Sequence, residues 1–245
     1  MRKRNSLMLL ALPLLPVLTA CDSDGLTEGD PNYFTSSRGQ LTAVTETGDT
    51  LYLLPGQAAG TAMLTFDGRT RQVNAAQNAV NVTTYSGDMA LPESITATNG
   101  HTYTLTAIGE QALMGCRSLT SITVPATVQT LGDGAFAICQ ELTAVALPEG
   151  ITAIPYGCFG NCKKLASITL PQSVTHIGEL AFYGCAKLTA YHFQSQTPPA
   201  IDGGLYLPEG VEVAVYVPAS AVAAYEADEA FSAVTIYADS VLINN

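Results

Sequence analysis

Six cysteines and three histidines are the residues of this 245-residue chain best suited to metal, redox or nucleophilic chemistry. Four of the thiols, Cys116, Cys139, Cys162 and Cys185, follow one another at a single constant interval. A zinc site needs ligands that converge on one point. A series carried along a stack of repeats spreads them instead, each about a strand spacing from the next. Disulfides between neighbouring repeats are allowed by Cα spacing but opposed by parallel side-chain directions. The favoured reading is a column of small buried thiols that pack as hydrophobes. Cys158 stands where sibling positions carry Ala112, Ala135 and Ala181, and reads as core as well. No metal and no cofactor is expected.

The histidines are no better placed for catalysis. His101 falls in a predicted hairpin, and His176 and His192 in outward-facing repeat positions. None sits in a pattern with a nucleophile or with paired carboxylates. The chain has no Gly-Xaa-Ser-Xaa-Gly elbow, phosphate loop or His-Glu-Xaa-Xaa-His motif. Asp133 and Glu179 share one turn position and read as solvated turn residues. The expectation is that the protein is not an enzyme.

The cysteine interval belongs to a wider self-similarity, the mark of a repeat architecture. Leu119, Leu142, Leu165 and Leu188 keep the same step, as do Ile122, Val145, Ile168 and Tyr191, and Val124, Leu147, Leu170 and Phe193. Phe136, Phe159 and Phe182 repeat too, with Leu113 in the first copy. Within one unit, Ile122 and Val124 alternate with Ser121 and Thr123, the period of a half-buried strand. Pro125 lacks a backbone donor and ends that strand. Val128 and Leu131 form a second apolar pair before a turn at Gly132, and Ala135, Phe136 and Cys139 are predicted to point inward from a helical turn. One such coil cannot bury its apolar edge alone, but stacked coils cover one another.

These positions resemble the BspA-type leucine-rich-repeat family, whose pattern Leu-x-x-Ile-x-Ile-Pro-x-x-Val-x-x-Ile-Gly-x-x-Ala-Phe-x-x-Cys is met by Leu119 to Cys139 and by Leu165 to Cys185. The middle copy departs at Pro155 and Cys158. The resemblance covers about residues 85–237 and implies a bacterial surface lipoprotein with roles such as adhesion or host contact. The expected fold class is a β-rich α+β repeat, a leucine-rich-repeat solenoid with 23-residue coils, a small N-terminal β module and a C-terminal cap.

The flanks divide accordingly. Residues 33–88 read as the β module, with strands in Leu51–Leu54, Ala62–Phe66 and Val80–Thr84 and a hairpin at Asp67-Gly68 leading to Arg71–Val73. The solenoid is assigned 89–193, opening on a partial repeat at Met89–Ile95 with an inserted hairpin at Asn99-Gly100. Residues 194–245 form the cap, with a strand at Val213–Pro218, a helix capped by Ser220 and running to about Phe231, and a last strand at Val234–Ala238.

The N-terminus reads as a targeting segment. Arg2, Lys3 and Arg4 precede an apolar run from Leu7 to Leu18 that is too short to span a bilayer. Leu18-Thr19-Ala20-Cys21 resembles a bacterial lipobox, which implies a signal peptide over 1–20, a lipid on Cys21 and a polar tether over 21–32. Loss of residues 1–20 removes three of the ten basic residues and none of the 21 acidic ones, leaving 7 against 21, a net charge of −14. Such a surface repels phosphates, so nucleic acid is excluded as a partner and the membrane is met through the lipid.

What remains for function is surface. The strand positions Ser121, Thr123, Ser167, Thr169 and His192 are predicted to face outward, and Arg117, Lys163, Lys164 and Lys187 make the main basic cluster. Together they are the candidate binding surface of a cell-envelope, surface-exposed outer-membrane lipoprotein that acts as a protein-binding or adhesion module. The alternative is a glycan-binding accessory lipoprotein. Sugar sites favour exposed aromatic rings; the chain has no Trp, so Tyr183, Tyr191 and Tyr206 are the candidates. The ligand is an unknown protein or glycan.

Overall fold

A computed structural model of the chain describes residues 41–45, 48–56, 58–65, 71–73, 79–81 and 85–239. The expected signal peptide, tether and lipidated Cys21 lie outside the described residues.

The described N-terminal strands are β1 (Leu41–Val44), β2 (Thr50–Pro55), β3 (Thr61–Thr65), β4 (Arg71–Val73) and β5 (Ala79–Asn81). Leu41, Ala43, Leu51, Leu53, Ala62 and Leu64 are buried, the inner half of each period-two pattern. β1 was not among the expected strands. The hairpin expected between 62–66 and 71–73 is not the described pairing: β4 pairs antiparallel with β5, and β3 lies between β2 and a later strand. A turn dipeptide signals that the chain bends, and does not select which strands then meet.

β6 (Ser86–Ala90) pairs in parallel with β9 (Ser118–Thr123), Met89 opposite Ile122, as a partial first repeat requires. Between them β7 (Ser94–Thr96) and β8 (Thr102–Ile108) form the inserted hairpin, Thr96 opposite Thr102, with Gly100 at φ 83° in the turn. β8 pairs in parallel with β3, so the N-terminal strands and the first coil share one sheet.

From β9 onward the strands form two parallel rows. The first row is β9, β11 (Ala144–Ala146), β13 (Ser167–Leu170), β15 (Ala190–Phe193), β17 (Ala214–Val217) and β18 (Thr235–Ala238). Ser121 faces Ala144, and Ser167 faces Ala190, each partner one repeat further along the chain. The second row holds the short pairs β10 (Thr130–Leu131), β12 (Ala153–Ile154), β14 (His176–Ile177) and β16 (Ala200–Ile201). From β9 to β16 each coil contributes one strand to each row, and β17 and β18 extend the first row alone.

The third side of each coil corrects the expected helical turn. Among the described residues it contains no helix. The amides of Gln111, Gly134 and Gly157 donate to the carbonyls of Asp133, Tyr156 and Glu179, and those of Gly115, Ile138 and Asn161 to Ala137, Gly160 and Tyr183. All six donors have left-handed φ, between 54° and 81°. That backbone turn aims the N–H along the stack at the next coil, where a helix would aim it at its own carbonyl four residues back.

The interior is continuous. Phe136, Phe159 and Phe182 stack face to face, centroids 5.1 and 5.6 Å apart, with Leu142, Leu165 and Leu188 buried beside them. The periodic cysteines and Cys158 are buried in the same interior. The thiols of Cys139, Cys162 and Cys185 donate to the carbonyls of Leu113, Phe136 and Phe159, at 3.1–3.2 Å. They therefore join coils as well as filling space.

At the C-terminal end the helix expected to be capped by Ser220 is shorter and capped otherwise. α1 spans Val222–Glu226 with Ala221 at its N-cap and no side-chain cap, followed by a 3-10 turn over Glu229–Phe231. The Ser220 hydroxyl donates to Gln196 instead, and Asp228 caps the 3-10 turn through the amide of Ala230. Tyr225 and Phe231 pack on Phe193, the last large residue of the strand series.

Candidate binding surface

Alternation along the first strand row buries Ile122, Ile168 and Tyr191 and leaves their neighbours outside. Thr123, Ser167 and Thr169 are exposed, as are Ala144 and Ala146 between them, so the row forms an open face of small side chains. Ser121 is half-buried. Its hydroxyl donates to Asp88 at 2.7 Å, and Thr120 donates to the same carboxylate oxygen at 2.8 Å. Those two bonds, Ser121 first, hold the Asp88 carboxyl below the usual aspartate range.

His192 lies at the C-terminal end of the same column, and its setting was not legible beforehand. The ring stacks on Tyr216, centroids 4.6 Å apart and planes 9° from parallel, and Tyr216 stacks on Tyr237 at 5.5 Å. Nδ1 of His192 lies 3.0 Å from Oδ2 of the buried Asp239. The column His192, Tyr216, Tyr237 escapes a search at constant step because the last coils are irregular; the strand register is what lines the rings up.

Arg117, Lys163, Lys164 and Lys187 are all exposed, just after the cysteine positions. They edge the strand face and do not lie on it. Lys164 pairs with Glu141 of the preceding coil, an exposed ion pair of small energetic weight. Lys163, Lys164 and Lys187 fall on adjacent coils, while Arg117 is two coils from Lys163.

Of the three tyrosines considered for sugar, Tyr191 is excluded: it is fully buried and its hydroxyl donates to the carbonyl of Tyr206. Its position in the inward Ile122 column accounts for that. Tyr183 is exposed and meets Tyr206 edge to face, planes 68° apart, on the turn side of the coils.

His176 lies 3.0 Å from Asp202 on the surface, and His101 is exposed in its hairpin. Among the described residues no group of three or more His, Cys, Asp or Glu side chains is placed to hold a metal ion, and no helix is long and apolar enough to cross a membrane.

Comparison with known proteins gives one family match and several likenesses to solved structures. The model of the BspA type leucine rich repeat region matches in six copies over residues 92–199. No curated protein matches the chain. Among solved structures, a leucine rich cell surface protein from Faecalibacterium prausnitzii A2-165 is 22% identical over 80% of this chain and 40% of its own, with a TM-score of 0.46. This chain thus spans less than half the length of that protein. The T. pallidum leucine rich repeat protein is 20% identical over 74% of this chain and 70% of its own, TM-score 0.49. A leucine-rich repeat protein from Bacteroides capillosus is 27% identical over 62% and 99%, TM-score 0.44. With the repeat match and the stacked coils agreeing, residues 92–199 of this chain are a leucine-rich-repeat fold of the BspA type.

Proposed function

We propose that this protein is a lipid-anchored module of the cell envelope, displayed at the surface, that works by binding another protein through the open strand face of its solenoid. The observation that carries the reading is the uncovered face itself. Thr123 on β9, Ala144 and Ala146 on β11, and Ser167 and Thr169 on β13 stand exposed, and the face ends in the stacked rings of His192, Tyr216 and Tyr237. A shallow surface of small side chains lets a partner approach the backbone closely, and aromatic anchors are the residue types that dominate binding energy at such surfaces. Stacking and the Asp239 contact hold the rings in place beforehand, which lowers the ordering cost of association. In this reading the repeats act as a binding scaffold and not as a catalyst, with 23-residue coils closed at the C-terminal end by α1, its 3-10 turn and β18.

Anchoring rests on the motif at Cys21. Growth with an alkyne fatty acid should label the chain and fail to label Cys21→Ser, and protease added to intact cells should remove it. Binding is tested by cross-linking the full chain on cells and comparing Thr169→Arg with Lys187→Ala. Cross-linked partners lost with Thr169→Arg and kept with Lys187→Ala support the strand face. Partners indifferent to Thr169→Arg would refute it.

A further inference from the structure

We propose that the turn side of the solenoid carries a second binding site, a notch across the central coils that takes a bulky apolar side chain of a partner protein segment with a lysine or arginine beside it. The site is separate from the strand face. It follows from one turn position per coil, filled in order by Met114, Ala137, Gly160, Tyr183 and Tyr206, of which Tyr183 is exposed. Large residues stand at both ends and small ones in the middle, which leaves a hollow of about 240 Å³. A second hollow of about 360 Å³ continues it past Tyr183 towards Tyr206. The hollow is open at Gly157, where a Cβ would meet nothing within 4 Å.

The rim is apolar, and two of its residues are held in an unfavourable backbone. Each coil has two left-handed positions. Gln111, Gly134, Gly157 and Gly203 stand at one of them, and Gly115, Asn161 and Gly184 at the other. Two of these positions carry apolar side chains, Leu180 at φ 58° and Ile138 at φ 63°, and both line the hollow beside Gly134 and Gly157. Side chains with a Cβ are disfavoured there, a β-branched one most of all. Backbone strain that persists beside an exposed apolar hollow is a pointer to function. Tyr156, Leu180 and Tyr183 are also three of only six large apolar side chains exposed among the described residues. Such clustering marks interaction sites, whereas scattered exposure does not.

Charge identifies the occupant. Tyr156 interrupts a column that otherwise reads Glu110, Asp133, Glu179 and Asp202. Asp133 lines the hollow and Glu179 lines its continuation, so the adjoining edge is acidic. The bases Arg117 and Lys163 do not line the hollow. An apolar side chain flanked by a cation therefore fits. A sugar ring fits less well, because Tyr183 and Tyr206 meet edge to face and offer no flat platform.

The test uses the full chain and three fluorescent peptides of equal length, built from alternating Leu and Lys, Ser and Lys, or Leu and Glu, read by anisotropy. The Leu/Lys peptide should bind at least about tenfold more tightly than either control. Ala137→Trp fills the hollow, and Leu180→Gly removes its wall at a position that suits glycine. Each should weaken Leu/Lys binding by about fivefold or more, and Leu180→Gly should do so with a melting temperature no lower than that of the parent. Thr169→Arg, on the strand face, should leave it unchanged. Equal binding of all three peptides, wild-type binding by Leu180→Gly, or sensitivity to Thr169→Arg would overturn the proposal. So would glycan-array binding, or self-association of the chain, that Ala137→Trp abolishes.

Discussion

Phe136 and Phe159 lie ring on ring, centroids 5.1 Å apart and planes 2° from parallel, although they belong to successive coils. Phe182 continues the stack at 5.6 Å, and all three rings are buried. The middle ring touches a coil on each side. Phe159→Ala should therefore cost about 3–5 kcal/mol, the range for a buried aromatic truncated to Ala, and Phe159→Leu clearly less. Urea unfolding of the two variants measures it; a cost below about 1 kcal/mol for Phe159→Ala would show that the coils do not share this core.

The thiol ladder should be chemically silent in the native state. Hydrogen bonding with the neighbouring Cys116 thiol and then burial push Cys139 well above the ordinary thiol range, and Cys162 is raised likewise by Cys185 and burial. Burial also keeps reagent away from all five thiols, so Cys116, Cys139, Cys158, Cys162 and Cys185 should resist alkylation at pH 8 and react together on unfolding. Mass spectrometry of native and denatured samples checks this. Cys162→Ala, which loses the donor to the Phe136 carbonyl and leaves a small void, should destabilise by about 1–3 kcal/mol.

Glycine positions separate two physical causes. At Gly157 the demand is conformational, φ 57° with open space, so Gly157→Ala should cost about 1–2 kcal/mol. At Gly132 the demand is steric: a Cβ would sit 2.2 Å from the Glu110 amide nitrogen, and Gly132→Ala should cost more than Gly157→Ala. Leu180→Gly should stabilise by up to about 1 kcal/mol. Melting curves of the three rank them.

Asp88 supplies the pH dependence. Its carboxylate, held low by Ser121 and Thr120, favours the folded state above the carboxyl's unfolded pKa, and that contribution fades as the pH falls through the folded value. The group is fully exposed, so the effect on stability is small. An NMR titration should show the Asp88 pKa rising in Ser121→Ala; an unchanged value would break the assignment to that hydrogen bond.

The repeat was legible because its inward positions recur at one step: the leucines, the phenylalanines and the alternation around Ile122 place the strands and the core without further information. The turn side was not. Ala135, Phe136 and Cys139 have spacing compatible with one helical turn, and periodicity over so short a stretch does not reveal that the amides bond to the next coil. The same limit hid the ring column. Tyr216 and Tyr237 join His192 through register between strands of irregular coils, a long-range relation. The rim of the turn-side notch was hidden for a related reason, since Ile138 and Leu180 read as ordinary apolar residues until their left-handed φ is seen. The basic residues are exposed, but whether they border or occupy the strand face depends on where each coil turns its corner.

Everything proposed for both surfaces depends on coils stacked in register over one interior, and deletion of a single coil tests this most directly. Removing Gln140–Cys162, one whole coil and equal in length to the separation between Ser167 and its partner Ala190, should leave a chain that unfolds cooperatively with the same circular dichroism per residue and lower stability. A deletion roughly five residues shorter, which puts every later coil out of register, should abolish cooperative unfolding. If both deletions behave alike, the coils are not stacked in this register and the columns built on it do not exist.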